Sequence, residues 1–149
     1  MKGTELIILG LVAVASCWEF PGHPGTDCEE TREYMQNAEK IYWMIPECNE
    51  DRTFVPMQCF ENTDICMCVL PDGSPLTLPG FVNVTACDCF LELYKADSLN
   101  LIGSYIPQCE NDGTYKAKQC HGSTGYCWCV DKKGTLLTEK VPPGHHLSC

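Results

Sequence analysis

The chain has 149 residues, 13 of them cysteine, and a net charge of −10. Such an acidic balance argues against nucleic acid and anionic membranes as partners. The cysteine density marks a disulfide scaffold of an oxidising compartment, in which cross-links make up for a small core.

The first element is a leader. Lys2 precedes the apolar run LIILGLVAVA at 6–15, followed by Ser16 and Cys17. The run is too short for a membrane span and has the make-up of a secretory signal peptide. Cleavage after Cys17 places Ala15 two residues before the cut residue, removes the odd cysteine and leaves twelve. Cleavage after Ser16 is the alternative, and VASC at 14–17 also resembles a bacterial lipidation box, the less favoured reading. Residues 1–17 are therefore assigned to the signal and 18–24 to an N-terminal segment, with the mature chain secreted to the extracellular space and not held in a membrane.

Residues 25–87 form the next unit. Asp27 and Glu30 make a D-x-x-E capping box before CEETREYMQNAEKIYW at 28–43, which reads as a short helix. A loop follows to Pro46, and the segment after Gly73 is rich in proline and glycine and reads as loop. Asn83-Val84-Thr85 is an N-glycosylation acceptor.

Residues 88–149 form the last unit. Asp88 is expected to cap a helix over CFLELYKA at 89–96, with Phe90, Leu93 and Tyr94 on one face. NDGTYKAKQC at 111–120 reads as a turn entering a strand, and YCWCV at 126–130 alternates and pairs beside it. The fold class is a small, disulfide-rich α+β, with a small antiparallel sheet of three strands and long loops in each unit.

The two units are copies of one module. Cys28, Cys48, Cys59, Cys66 and Cys68 recur 61 residues later as Cys89, Cys109, Cys120, Cys127 and Cys129. Cys87 recurs as Cys149, 62 residues on. Ile45-Pro46, Asp51, Thr53, Phe54, Gln58, Val69 and Gly73 have counterparts at the shorter offset. Charge is not shared: residues 18–87 hold 12 acidic and 3 basic side chains, whereas 89–149 hold 6 of each. An acidic run of this kind is most simply a solvated face. Only Asp88 separates Cys87 from Cys89, so a linker with almost no slack couples the modules as a fixed pair.

In a strand adjacent residues point to opposite faces, so Trp128 turns away from Cys127 and Cys129, and the two cysteines are expected to reach different partners, not each other. Six cysteines allow 15 connectivities, and the spacing does not choose among them. His23, His121, His145 and His146 provide no paired zinc spacing, and the C-x-x-C of a redox site is missing. No G-x-S-x-G, H-E-x-x-H or phosphate-binding glycine loop is present. The reading is a binding protein, not an enzyme, with no cofactor and no metal.

The residues YIPQC, DGTY, QC, STGYCWCV and GHHLSC, in that order over 105–149, resemble the thyroglobulin type-1 domain. The likeness covers Cys89 to Cys149 completely. Module one is similar in spacing but looser, with Met67 at the tryptophan position and Glu47 at a glutamine position. The resemblance implies two tandem thyroglobulin type-1 modules, each with a short N-terminal helix and three disulfides in sequential pairs. Those pairs are Cys28–Cys48, Cys59–Cys66 and Cys68–Cys87, then Cys89–Cys109, Cys120–Cys127 and Cys129–Cys149. A bridge closing a loop of the longer size contributes about 3 kcal/mol in the chain-entropy model. Trp128, between two bridges, is expected to pack in the core.

Some members of this family, the thyropins, inhibit papain-like cysteine proteases by wedging loop tips into the active-site cleft, and some occur in spider venoms. The resemblance therefore implies a secreted, reversible, monomeric inhibitor of a papain-like cysteine protease such as a cathepsin L-like enzyme. Carried onto module two, the wedge has a first part in Ser98, Leu99, Asn100, Leu101, Ile102, Gly103 and Ser104. Its second part is His121, Gly122, Ser123, Thr124, Gly125 and Tyr126, where the glycines permit a tight turn and close approach to a partner. Residues 131–135 are a third candidate. In module one the second part reads FENTDI at 60–65, without glycine and with Glu61 and Asp64 added. That departure sets module one apart from papain-type inhibition and leaves it an aspartic protease or a supporting role. The rival reading is a non-inhibitory extracellular interaction module or venom component, since many domains of the family sit in adhesion, matrix and growth-factor-binding proteins.

Overall fold

A computed structural model describes residues 27–37 and 44–149. The leader and the N-terminal segment lie outside the described residues, as does the end of the first helix expected over 28–43. In chain order the elements are α1 (Cys28–Asn37), β1 (Met57–Cys59), β2 (Cys66–Cys68), α2 (Asp88–Ser98), β3 (Lys118–Cys120) and β4 (Cys127–Cys129). Among the described residues, no helix is long and apolar enough to cross a membrane.

Each module is a helix, a long loop and a two-stranded antiparallel hairpin. β1 pairs with β2 with Gln58 opposite Met67, and β3 pairs with β4 with Gln119 opposite Trp128. Among the described residues the expected third strand does not form. Chain that would supply it is held by isolated bridges, Val69 to Pro75 in module one and Val130 to Leu136 and Cys127 to Val141 in module two. Proline and glycine in these segments remove ladder donors and break the extended run.

The twelve cysteines among the described residues pair as Cys28–Cys48, Cys59–Cys66 and Cys68–Cys87, and as Cys89–Cys109, Cys120–Cys127 and Cys129–Cys149. The two cysteines of each C-x-C share one face of the strand, with the intervening residue on the other, and take different partners. One cysteine of each strand closes its own hairpin and the other ties the strand to the module's last residue. Between them Trp128 turns inward and is 7% exposed, with Tyr105 at 5.0 Å between ring centroids and the Lys140 ammonium 4.6 Å from its ring.

The cores are small. In module one Cys28, Met44, Phe54, Met67 and Val69 form one cluster, and Cys68, Val84 and Cys87 form another. Each hairpin also buries a glutamine that brackets the long loop. Gln58 Oε1 accepts from the Glu47 N–H at 2.9 Å, and its Nε2 donates to Glu47 O and Val55 O at 2.9 and 2.7 Å. Gln119 Oε1 accepts from the Gln108 N–H and the Tyr105 hydroxyl at 2.8 and 2.6 Å. Its Nε2 donates to Gln108 O and Lys116 O at 2.8 and 2.7 Å. A buried amide is tolerated here because both of its ends are satisfied.

The helix starts differ between modules. Asp27 Oδ1 accepts from the N–H groups of Glu29 and Glu30, at 2.9 and 3.3 Å, and its other oxygen pairs with Arg52. Asp88 does not repeat this role. It is the first residue of α2, and Cys87 occupies the cap with no side-chain hydrogen bond. The tether to module one through Cys68 sets the entry angle there, so Asp88 serves α2 only as a carboxylate in the positive first turn. Of the expected apolar face, Phe90 packs on the Cys68, Val84 and Cys87 cluster of module one, whereas Tyr94 is 46% exposed.

Module one's last residues dock on the 110–113 turn of module two. The N–H groups of Thr85 and Ala86 both donate to Asp112 O, at 2.9 and 3.2 Å. Gly113 lies so close to Ala86 that a β-carbon there would come within 1.8 Å of the Ala86 carbonyl oxygen. The matching position in module one is Arg52, which keeps the left-handed φ but has room for its side chain.

Candidate functional site

The candidate loops of module two are built by the end of α2 and by the β3–β4 hairpin. The helix stops at Ser98, whose hydroxyl turns back onto Tyr94 O at 2.7 Å. The Leu99 N–H still reaches Lys95 O at 3.2 Å, and Asn100 then turns left-handed with φ +46°. A tight turn follows from Leu101 to Ser104, closed by the Ser104 N–H on Leu101 O at 3.1 Å, with Gly103 at φ +82°. Ile102 sits at the tip, as exposed as in an extended chain, and Leu99 and Leu101 are also more than half exposed.

The second loop crosses from Cys120 to Cys127. The His121 N–H donates to Tyr126 O and the Gly125 N–H to His121 O, both at 2.8 Å. Gly125 has φ +73°, and a β-carbon there would stand 3.1 Å from Pro143 Cβ. Gly122 differs from the sequence expectation: its φ is not left-handed, and a β-carbon would meet nothing within 4 Å. It is an open position on the loop surface and not a requirement of the turn.

The two loops are joined. The Ser123 hydroxyl donates to Gly103 O at 2.9 Å and lies 3.1 Å from His121 Nδ1. A serine hydroxyl has one proton, so with that proton on Gly103 the imidazole is the donor of the other bond, through Nδ1–H. Behind the junction, Tyr105 anchors the first loop's exit on the buried Gln119, and its phenol is pushed up to about 12, mainly by burial and then by the Glu92 carboxylate. The two joined loops expose Leu99, Leu101, Ile102 and Tyr126.

The third candidate, 131–135, is a turn of another kind. Asp131 Oδ1 accepts from the Lys133 and Thr135 N–H groups at 2.9 and 2.8 Å. Gly134 is held against the Tyr115 ring, with its β-position 2.9 Å from the ring edge. Tyr115 in turn gives its hydroxyl to Glu92, and its phenol is pushed upward by burial first and by that bond second. No hydrogen bond among the described residues links this turn to the other two loops. Sequence reasoning missed Tyr105 and Gln119, which support the site from beneath; the Tyr-Ile-Pro-Gln-Cys and Gln-Cys strings were the available signal.

Module one's hairpin loop has the same length and another shape. The Thr63 N–H closes on Phe60 O at 3.2 Å, with Asn62 left-handed at φ +57°, and Glu61, Asp64 and Ile65 are exposed. In module two the left-handed residue of this loop is Gly125, whose counterpart here is Asp64, two positions after Asn62.

The Thyroglobulin type-1 repeat family model matches residues 27–83 and 90–149. Among known proteins, the chain is 40% identical over 120 residues to U20-hexatoxin-Hi1a of Hadronyche infensa, covering 78% of this chain and 82% of that one. It is 34% identical over 123 residues to U24-ctenitoxin-Pn1a of Phoneutria nigriventer, covering 83% and 92%. It is also 34% identical over 141 residues to rat thyroglobulin, of which it spans 5%. Two repeats of one cysteine ladder, the same hairpin and buried glutamine in each, and a family match over both modules place the chain in the thyroglobulin type-1 family.

Proposed function

We propose that the protein is a secreted, reversible inhibitor of papain-like cysteine proteases and that the joined loops of module two enter the enzyme's cleft. The observation that carries this reading is the Ser123–Gly103 bond, which makes one surface of two loops and leaves Ile102 at its apex. Thyroglobulin type-1 domains occur in protease inhibitors, and the two similar toxins have nearly the same length. Burying an apolar side chain such as Ile102 in a cleft contributes about 1.5–3 kcal/mol. Loops already ordered by bridges lose little entropy on docking. No covalent step is needed, since all twelve described cysteines are in disulfides. In module one, Glu61 and Asp64 would have to shed water on entering such a cleft, which opposes binding.

The test is titration of the secreted chain against papain and a cathepsin L-like enzyme, alongside Ile102→Asp and Glu61→Ala. The reading expects reversible inhibition, lost in Ile102→Asp and retained in Glu61→Ala. Absence of inhibition favours a non-inhibitory extracellular module, and insensitivity to Ile102 moves the contact elsewhere.

A further inference from the structure

We propose that Asn83 carries an N-linked glycan that covers the tip of module one's hairpin loop and withdraws it from the binding surface. Asn83-Val84-Thr85 is the only N-x-S/T acceptor in the chain. The structure gives it a consequence that the motif lacks by itself. Exposed Asn83 lines a shallow cavity of about 260 Å³ together with Gly80, Val82, Asp64 and Ile65. Asp64 and Ile65 belong to the 60–65 loop, the counterpart of the 121–126 loop of module two.

The repeat supports this placement. In module two the closing segment passes the same tip, with Pro143 against Gly125. Sixty-one residues earlier those positions are Val82 and Asp64, neighbours in the cavity. Both modules therefore run their last segment past the hairpin tip, and only module one places a glycan acceptor there; module two has Gly144 and His145. Ile65 and Val82 are 44% and 36% exposed, an apolar floor on which the non-polar face of a sugar ring can rest.

The modification is balanced as a group transfer. Asn83 Nδ2 attacks C1 of an oligosaccharide carried on a polyisoprenyl diphosphate. The N–C1 bond forms, the C1–O bond breaks, the diphosphate leaves with the electron pair, and the amide gives up one proton. The Thr85 hydroxyl that the acceptor motif requires is committed to Asp112 in the folded chain, at 3.0 Å. Transfer thus precedes the docking of module two.

The experiment compares the full chain secreted from a eukaryotic host with the same folded protein after peptide-N-glycosidase treatment and with Asn83→Gln. Intact mass reads occupancy, and hydroxyl-radical footprinting reads exposure. Occupancy is expected, with Ile65 labelled about threefold less while the glycan is present and Tyr126 unchanged, because a bulky glycan shields only its surroundings. An unmodified Asn83, equal labelling of Ile65 with and without the glycan, or an equal drop at Tyr126 would overturn the proposal. None of these readouts uses protease inhibition, so the two readings fail separately.

Discussion

The Ser123 hydroxyl donates to the Gly103 carbonyl at 2.9 Å, joining two loops that lie 20 residues apart and share no disulfide. Removing the donor should loosen the first loop without unfolding the module. Ser123→Ala is expected to dissociate from a papain-like enzyme about 2- to 10-fold faster, the worth of one ordinary hydrogen bond. Amide exchange at 101–104 in the free protein should rise in parallel. Ser123→Thr, which keeps the donor, should restore both. Unchanged exchange in the alanine variant would mean that the bond does not order the loop.

Gly122 and Gly125 should separate fold from fit. Gly125→Val places a β-branched residue at φ +73° with Pro143 beside it, and should lower stability by about 1–3 kcal/mol. Gly122→Val meets no neighbour and should leave stability within about 0.5 kcal/mol. It should nevertheless weaken inhibition if loop backbone approaches the enzyme there. Thermal melts of both variants, set against their inhibition constants, check this.

Asp112 holds the junction between modules. Its Oδ2 accepts from the Thr85 hydroxyl at 3.0 Å, and its Oδ1 accepts from the Thr114 N–H and hydroxyl at 3.1 and 2.7 Å. The Thr114 hydroxyl is the largest cause that holds this carboxyl below its usual range, with the Thr114 N–H next. A depressed folded value stabilises above the unfolded value of about 3.9, and the contribution fades as pH falls through the folded value. Of the groups that lower it only the Thr85 hydroxyl crosses the junction, so the modules should share one rotational correlation time in NMR relaxation near pH 6 and loosen only slightly in stronger acid. Asp112→Ala removes the Thr85 hydroxyl bond but keeps the carbonyl that accepts from the Thr85 and Ala86 N–H groups, so it should loosen the pair at pH 6 without freeing it; two separate correlation times in that variant would make the carboxylate the main hold of the junction.

Gln119 is fully buried and satisfies four backbone or side-chain partners. Gln119→Leu fills the space but orphans the Gln108 N–H and the Lys116 carbonyl. Each orphaned group costs about 1–3 kcal/mol, so denaturant unfolding with the bridges intact should show a loss of that order. The loss should be accompanied by weaker inhibition, because Tyr105 would lose its anchor beneath the first loop. A neutral Gln119→Leu would show that the bridges alone position that loop.

The repeated cysteine ladder, the two helices and the pairing of CWC beside KQC were all legible in the sequence, because they rest on spacing, period and local strand propensity. Asp27 as a cap was legible for the same reason: a capping bond spans only two or three residues. Asp88 misled because the residue before it, Cys87, is tied to Cys68 by a bridge within module one, 19 residues apart, and that tether shapes the backbone ahead of α2. The third strand failed because pairing depends on what lies beside a segment as well as on its residues. Of the candidate loops, sequence named the residues but not their relations. That Ser123 meets Gly103, that 131–135 packs apart on Tyr115, and that Asn83 and Ile65 line one cavity are relations between segments distant in the chain. Only the folded bridges bring those segments together, since long-range proximity is a property of the closed loops and not of any window of residues.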